Sequence, residues 1–110
     1  MEIQTRDTND IKVVDLIGKL DTNTSPDAEK HLNGLLKEGV KKILVNLEKL
    51  DYISSAGLRV LLSTNKQLQN TSGLLRICNL NEVVKEIFDI SGFSSIFNVF
   101  STESEAFNGF

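Results

Sequence analysis

The sequence predicts one α/β domain built on a mostly parallel sheet, with an N-terminal antiparallel strand and the element order β-β-α-β-α-β-α-β-α. Three observations lead there. Short apolar runs alternate along the chain with stretches of helical spacing, the mark of strands joined by crossover helices. The first two runs are separated only by Thr8-Asn9-Asp10, turn chemistry that makes them neighbours running in opposite directions. The 110 residues, 40% hydrophobic and 25% charged, suffice for one core and leave no room for a second. Residues 1–110 therefore read as one domain, with no repeat, linker or low-complexity segment.

Each element has its own local reason. Residues 2–7 form the first strand, and Ile-Lys-Val-Val-Asp-Leu-Ile at 11–17 the second. After Gly18-Lys19-Leu20-Asp21, the run Thr24-Ser25-Pro26-Asp27 starts a helix: a hydroxyl cap, proline at the first helical position, and an acid in the first turn. Ala28, Leu32, Leu35 and Leu36 give that helix its apolar stripe, and Gly39 lies where a C-terminal cap belongs. The run at 43–47, Ile-Leu-Val-Asn-Leu, suits a strand buried on both faces. A loop through Asp51-Tyr52-Ile53-Ser54 leads to a helix over 55–70. Its Leu58, Leu61, Leu62 and Leu68 face inward, with Arg59, Ser63, Lys66 and Gln67 outward. A strand at 74–78, a helix over 81–91 with Val84, Ile87 and Phe88 inward, a strand at 96–100 and a short helix ending in Phe110 complete the order.

Composition excludes several functions. A net charge of −3 disfavours direct nucleic-acid binding, which needs clustered Lys and Arg, and disfavours an anionic membrane surface. The N-terminal residues lack the apolar stretch of a signal peptide, and no apolar run approaches the roughly 20 residues of a membrane span. The expected location is the cytoplasm. Cys78, the single cysteine, cannot form an intrachain disulfide, and its strand context makes it an inert core thiol.

Catalytic motifs are missing. His31 is the single histidine, so no His/Cys metal site can be assembled, and its helical position reads as solvated. Lys19 follows Gly18, but a phosphate-binding loop needs Ser or Thr where Leu20 stands. Ser54 and Ser55 sit at a strand-to-helix turn, yet Ile53 occupies the place where a hydrolase elbow needs glycine two residues before its serine. The expectation is no enzyme, no metal and no cofactor. Ser54-Ser55-Ala56-Gly57 then has two readings. One is a plain helix cap by either serine, with Gly57 easing the turn. The other is an exposed hydroxyl beside free N–H groups and the positive helix end, where phosphate is tolerated, with Ala56 and Gly57 letting a partner backbone approach.

Two motifs tip the balance. Gly18-Lys19-Leu20-Asp21 resembles the Gly-x-Leu-Asp that follows the second strand in the STAS family of bacterial regulators. Leu47-Glu48-Lys49-Leu50-Asp51-Tyr52-Ile53-Ser54-Ser55-Ala56-Gly57-Leu58 resembles that family's strand exit, phosphorylation loop and helix start. Their spacing, and Val84–Gly92 further on, fit as well. Over essentially its whole length the chain resembles the single-domain anti-sigma factor antagonists of that family. Aligned on Gly57, the family's phosphoacceptor falls on Ser55. Ser54 replaces the family's usual aspartate and is a competing phosphosite; Ala56 replaces a hydroxyl residue.

The resemblance implies partner switching. The unmodified chain binds an anti-sigma factor that is also a serine kinase, freeing a sigma factor. Phosphorylation of Ser55 ends binding and a serine phosphatase restores it, while ATP and Mg²⁺ belong to the kinase. Asp21, Asn23 and Thr24 are expected to flank Ser55, with Ser54, Ala56, Gly57, Arg59 and Ser63 completing the partner surface. The free chain is expected to be a monomer. The alternative is a STAS-type scaffold or sensor module in another bacterial regulatory complex.

Overall fold

A computed structural model describes residues 1–110. The elements run β1 (Glu2–Thr8), β2 (Ile11–Leu20), α1 (Ser25–Lys37), β3 (Lys42–Asn46), β4 (Leu50–Ile53), α2 (Ser55–Asn70), β5 (Leu74–Cys78), α3 (Glu82–Ile90), β6 (Asn98–Phe100) and α4 (Glu103–Phe107), with a 3-10 turn at Phe93–Ser95. The sheet order is β1-β2-β3-β5-β6, and β4 also pairs with β2. β1 is antiparallel to β2 across the Asn9-Asp10 turn, where Asn9 takes a left-handed backbone (φ 56°). All other pairings are parallel. The predicted class is correct.

Strand alternation divides the interior in two. Val14, Leu16, Ile43, Val45, Leu75 and Ile77 face α1, α2 and α3, burying Leu32, Leu61, Leu68, Val84 and Phe88 in the main core. The intervening residues Ile11, Val13, Leu44 and Cys78 face the other way, against Ala106 of α4 and the rings of Phe100, Phe107 and Phe110. Three long helices thus cover one face of the sheet, and one five-residue helix covers the other. Arg76 fixes that small helix. Its guanidinium donates to the carbonyls of Ala106, Asn108 and Gly109 and lies over the rings of Phe100 and Phe110.

Four expectations need correction. The loop predicted at Asp51–Ser54 is largely the strand β4. It pairs with a β2 that runs ten residues, to Leu20, because Gly18 (φ 103°) carries a bulge through the register. β6 starts at Asn98, since Ile96 is spent in leaving the 3-10 turn. The last helix stops at Phe107, and Phe110 lies beyond it as a ring under Arg76. His31 is only half-exposed, its Nε2 2.6 Å from the Thr5 hydroxyl on β1.

Candidate functional site

Parallel pairing of β4 with β2 brings two chain exits side by side. Leu20 pairs with Ile53, and the next amide along, Ser54 N–H, donates to the Leu20 carbonyl at 2.9 Å. The loop after β2 and the start of α2 therefore leave the same end of the sheet.

The two adjacent serines have different surroundings. Ser54 is the N-cap of α2: it is extended, its Oγ accepts from Gly57 N–H at 3.3 Å, and its carbonyl accepts from Leu58 N–H at 2.9 Å. It is half-buried and bonded through three groups. Ser55 occupies the first helical position, is exposed, and has no hydrogen-bond partner for its hydroxyl. The N–H groups of this first turn include orphans by construction, and they lie at the positive end of a 16-residue helix with no acid in its first turn. The cap left open between two serines in the sequence belongs to Ser54.

Gly57 needs a different explanation from the one its sequence suggests. It is buried, with an ordinary helical backbone. A Cβ there would come within 2.8 Å of both Leu20 Cγ and the Leu20 carbonyl, and 2.9 Å of Ile53 Cγ1. Its missing side chain lets α2 pack onto the ends of β2 and β4. It neither eases a turn nor offers an approach to a partner's backbone.

Asp21 organises the loop beside Ser54. Its Oδ1 accepts from Asn23 N–H at 2.9 Å and Thr24 N–H at 3.1 Å, and Thr24 Oγ1 donates to the Lys19 carbonyl. The Thr24 N–H bond, with Asn23 behind it, holds the Asp21 carboxyl below the usual aspartate range. Thr24 precedes α1 but does not cap it by its side chain, because that hydroxyl is turned back into the loop. Asn23 is exposed at the loop tip.

Between α1 and α2 lies an open groove of about 660 Å³. Ala56, Arg59 and Ser63 of the expected surface line it; Asp21, Asn23 and Thr24 stand outside it at the adjoining loop. Thr22, Pro26, Glu29 and Lys66 also line it, and the sequence did not single them out as site residues. Which side of α1 faces α2 depends on how the helices pack, and no local pattern encodes that. Leu62, expected inward, is half-buried on this wall, while Val60 and Thr64 take interior places. His31 lies away from the groove, over β1 on the opposite flank of β2 from β4, and no group of three or more His, Cys, Asp or Glu residues could hold a metal ion.

The STAS domain model matches residues 2–106. The chain belongs to the STAS family. It is 41% identical over 91 residues to BtrV of Bordetella bronchiseptica, described as an anti-sigma factor antagonist, covering 83% of this chain and 78% of that one. It is 29% identical over 99 residues to the anti-sigma-B factor antagonist of Staphylococcus aureus, covering 90% and 92%. Among solved structures, an anti-sigma factor antagonist from Thermotoga maritima superposes with a TM-score of 0.90 at 21% identity, over 94% of this chain and 90% of that one. The Bacillus protein SpoIIAA in its phosphorylated form gives 0.73 at 23% identity, over 96% of each chain. These two likenesses establish the fold. No helix of this STAS domain is long and apolar enough to cross a membrane.

Proposed function

We propose that this STAS domain is an anti-sigma factor antagonist whose partner binding ends when Ser55 is phosphorylated. The carrying observation is the division of labour between the serines. Ser54 is fixed as the cap, while Ser55 presents a free hydroxyl at the open end of α2, next to the groove that Ala56 and Arg59 line. The antagonist relatives and the existence of a phosphorylated SpoIIAA structure support the same reading. The partner is an anti-sigma factor with serine kinase activity, and a serine phosphatase resets the switch. The chain itself is a cytoplasmic monomer that acts as ligand and substrate. The docking surface comprises Ala56, Arg59 and Ser63, with Asp21, Asn23 and Thr24 shaping its edge.

A dianion at this position adds roughly −1.5 to −2 charge and a tightly held hydration shell. Burying it in a complex, or setting it against like charge, costs several kcal/mol, and each ~1.4 kcal/mol is tenfold in affinity. The helix end itself favours the charge, so α2 stays folded. The test has two steps: phosphopeptide mapping after incubation with candidate kinase and ATP, then calorimetric titration of that kinase with four forms of the chain. Native chain and Ser55→Ala are expected to bind alike, Ser55→Asp more weakly, and the phosphoprotein at least ~100-fold more weakly. Modification at Ser54 alone, or equal affinity for modified and unmodified chain, defeats the proposal.

A further inference from the structure

We infer that Arg59 captures the phosphate on Ser55 within the same helix, withdrawing a cation from the groove at the moment the anion is added. This rests on the reading of Ser55 as phosphoacceptor and adds the fate of the phosphate once it is there. Ser55 and Arg59 are both exposed and lie four residues apart in regular helix, hence on one face one turn apart. Long helical side chains lean toward the N-terminus, so the guanidinium reaches back over the turn that carries Ser55.

Arg59 is also uncommitted. The ion pairs of the chain involve Arg6, Lys12 and Lys42, and none involves Arg59. No acid stands in the first turn of α2 to compete for it, and the one carboxylate on the groove wall, Glu29, belongs to the other helix. A phosphoserine supplies three acceptor oxygens, and a guanidinium fork engages two of them at once. Capture has a consequence for binding, because Arg59 lines the groove. A partner carboxylate that pairs with Arg59 in the unmodified complex loses its counter-charge when the phosphate takes it. Phosphorylation then acts by removal as well as by repulsion.

The test installs phosphoserine at position 55 of the full chain by genetic encoding, so that no kinase is needed. The second ionisation of the phosphate is followed by ³¹P NMR at low salt, in the native background and in Arg59→Gln, Arg59→Lys and Lys66→Gln, each checked for native thermal unfolding. Arg59→Gln is expected to raise the phosphate pKa by roughly 0.2 to 0.4 unit, as an i, i+4 ion pair predicts. Arg59→Lys raises it less and Lys66→Gln leaves it unmoved. The Arg59 guanidinium ¹⁵N signal shifts along the same titration curve. An unchanged phosphate pKa in Arg59→Gln overturns the capture, and so does an equal shift from Lys66→Gln, which would mean a diffuse field. A kinase that ignores Ser55 would sink the proposed function and leave this measurement standing.

Discussion

Gly57 and the serines before it explain how a switch can be built on a rigid helix start. With Leu20 and Ile53 filling the space a side chain at Gly57 would take, the first turn of α2 packs directly on the ends of two strands. Gly57→Ala illustrates the balance. Alanine is the better helix former by about 1 kcal/mol, but its methyl group must displace Leu20 backbone, and overpacking of this kind costs about 1–3 kcal/mol. The variant is expected to be less stable by up to about 2 kcal/mol in urea unfolding; a stabilised variant would show that the contact relaxes freely. The neighbouring serines separate stability from signalling in the same assay. Ser54→Ala loses the bond to Gly57 N–H and about 1 kcal/mol with it, whereas Ser55→Ala loses a solvated hydroxyl and leaves the midpoint within error. A larger loss from Ser55→Ala than from Ser54→Ala would reverse the assignment of the cap. The Ser55→Ala variant should then probe binding without a folding artefact.

Among the elements, α4 and the residues after it cover a sheet face that no other helix protects. Cys78 lies beneath them, fully buried, and burial pushes its thiol up to about 12 from an ordinary 9.0. Deleting residues 102–110 should open Cys78 to solvent. Three pKa units correspond to a roughly thousandfold change in thiolate fraction at mildly alkaline pH, so alkylation should accelerate by about two to three orders of magnitude. Mass spectrometry of a truncated chain that keeps its far-UV helical signal would measure this, and an unchanged rate would mean that the sheet alone shields the thiol. That α4 has this task was not legible in the sequence. Its stripe is short, and its anchor, Arg76, sits in a strand that reads as apolar. The strand β4 escaped for a related reason. It has four residues, Asp51 and Tyr52 are exposed, and its pairing exists only because a bulge at Gly18 extends β2. By contrast the extent of α2 was readable, since its apolar stripe is local, although which of the two serines caps it was not. The position of Ser55 was readable with it, but the groove was not, because it belongs to two helices far apart in sequence.

At the scale of the whole molecule, one charged cluster ties the first strand, the central strands and α4 together. The Arg6 guanidinium donates to both oxygens of Asp15, at 2.8 and 2.9 Å, and to Glu103, which also accepts from Asn46 Nδ2. These bonds link residues up to 97 positions apart, so they form only when the sheet and α4 are both in place. The Arg6 bond, aided by Asn46, lowers the Glu103 carboxyl below its ordinary 4.5. A carboxyl that binds its proton less readily when folded stabilises the native state above its unfolded pKa, and that stabilisation disappears as pH falls through the lower native value. The Arg6–Glu103 contribution is therefore full at neutral pH, begins to fade near 4.5, and is gone in stronger acid. Glu103→Gln removes the charge but keeps the shape and the hydrogen-bonding capacity. Arg6 is 46% exposed, so the pair is worth about 1 kcal/mol or less, or about 4 °C in Tm for a chain of this length. Melting curves at low salt should place the variant below the native chain by up to about 4 °C at neutral pH, with the two converging as pH falls below the ordinary carboxyl range. Added salt at neutral pH should narrow the gap as well, because exposed charges are screened. A difference that persists undiminished in acid would mean that Glu103 holds α4 by packing and neutral hydrogen bonds. The cluster would then be a consequence of the fold and not one of the forces that close it.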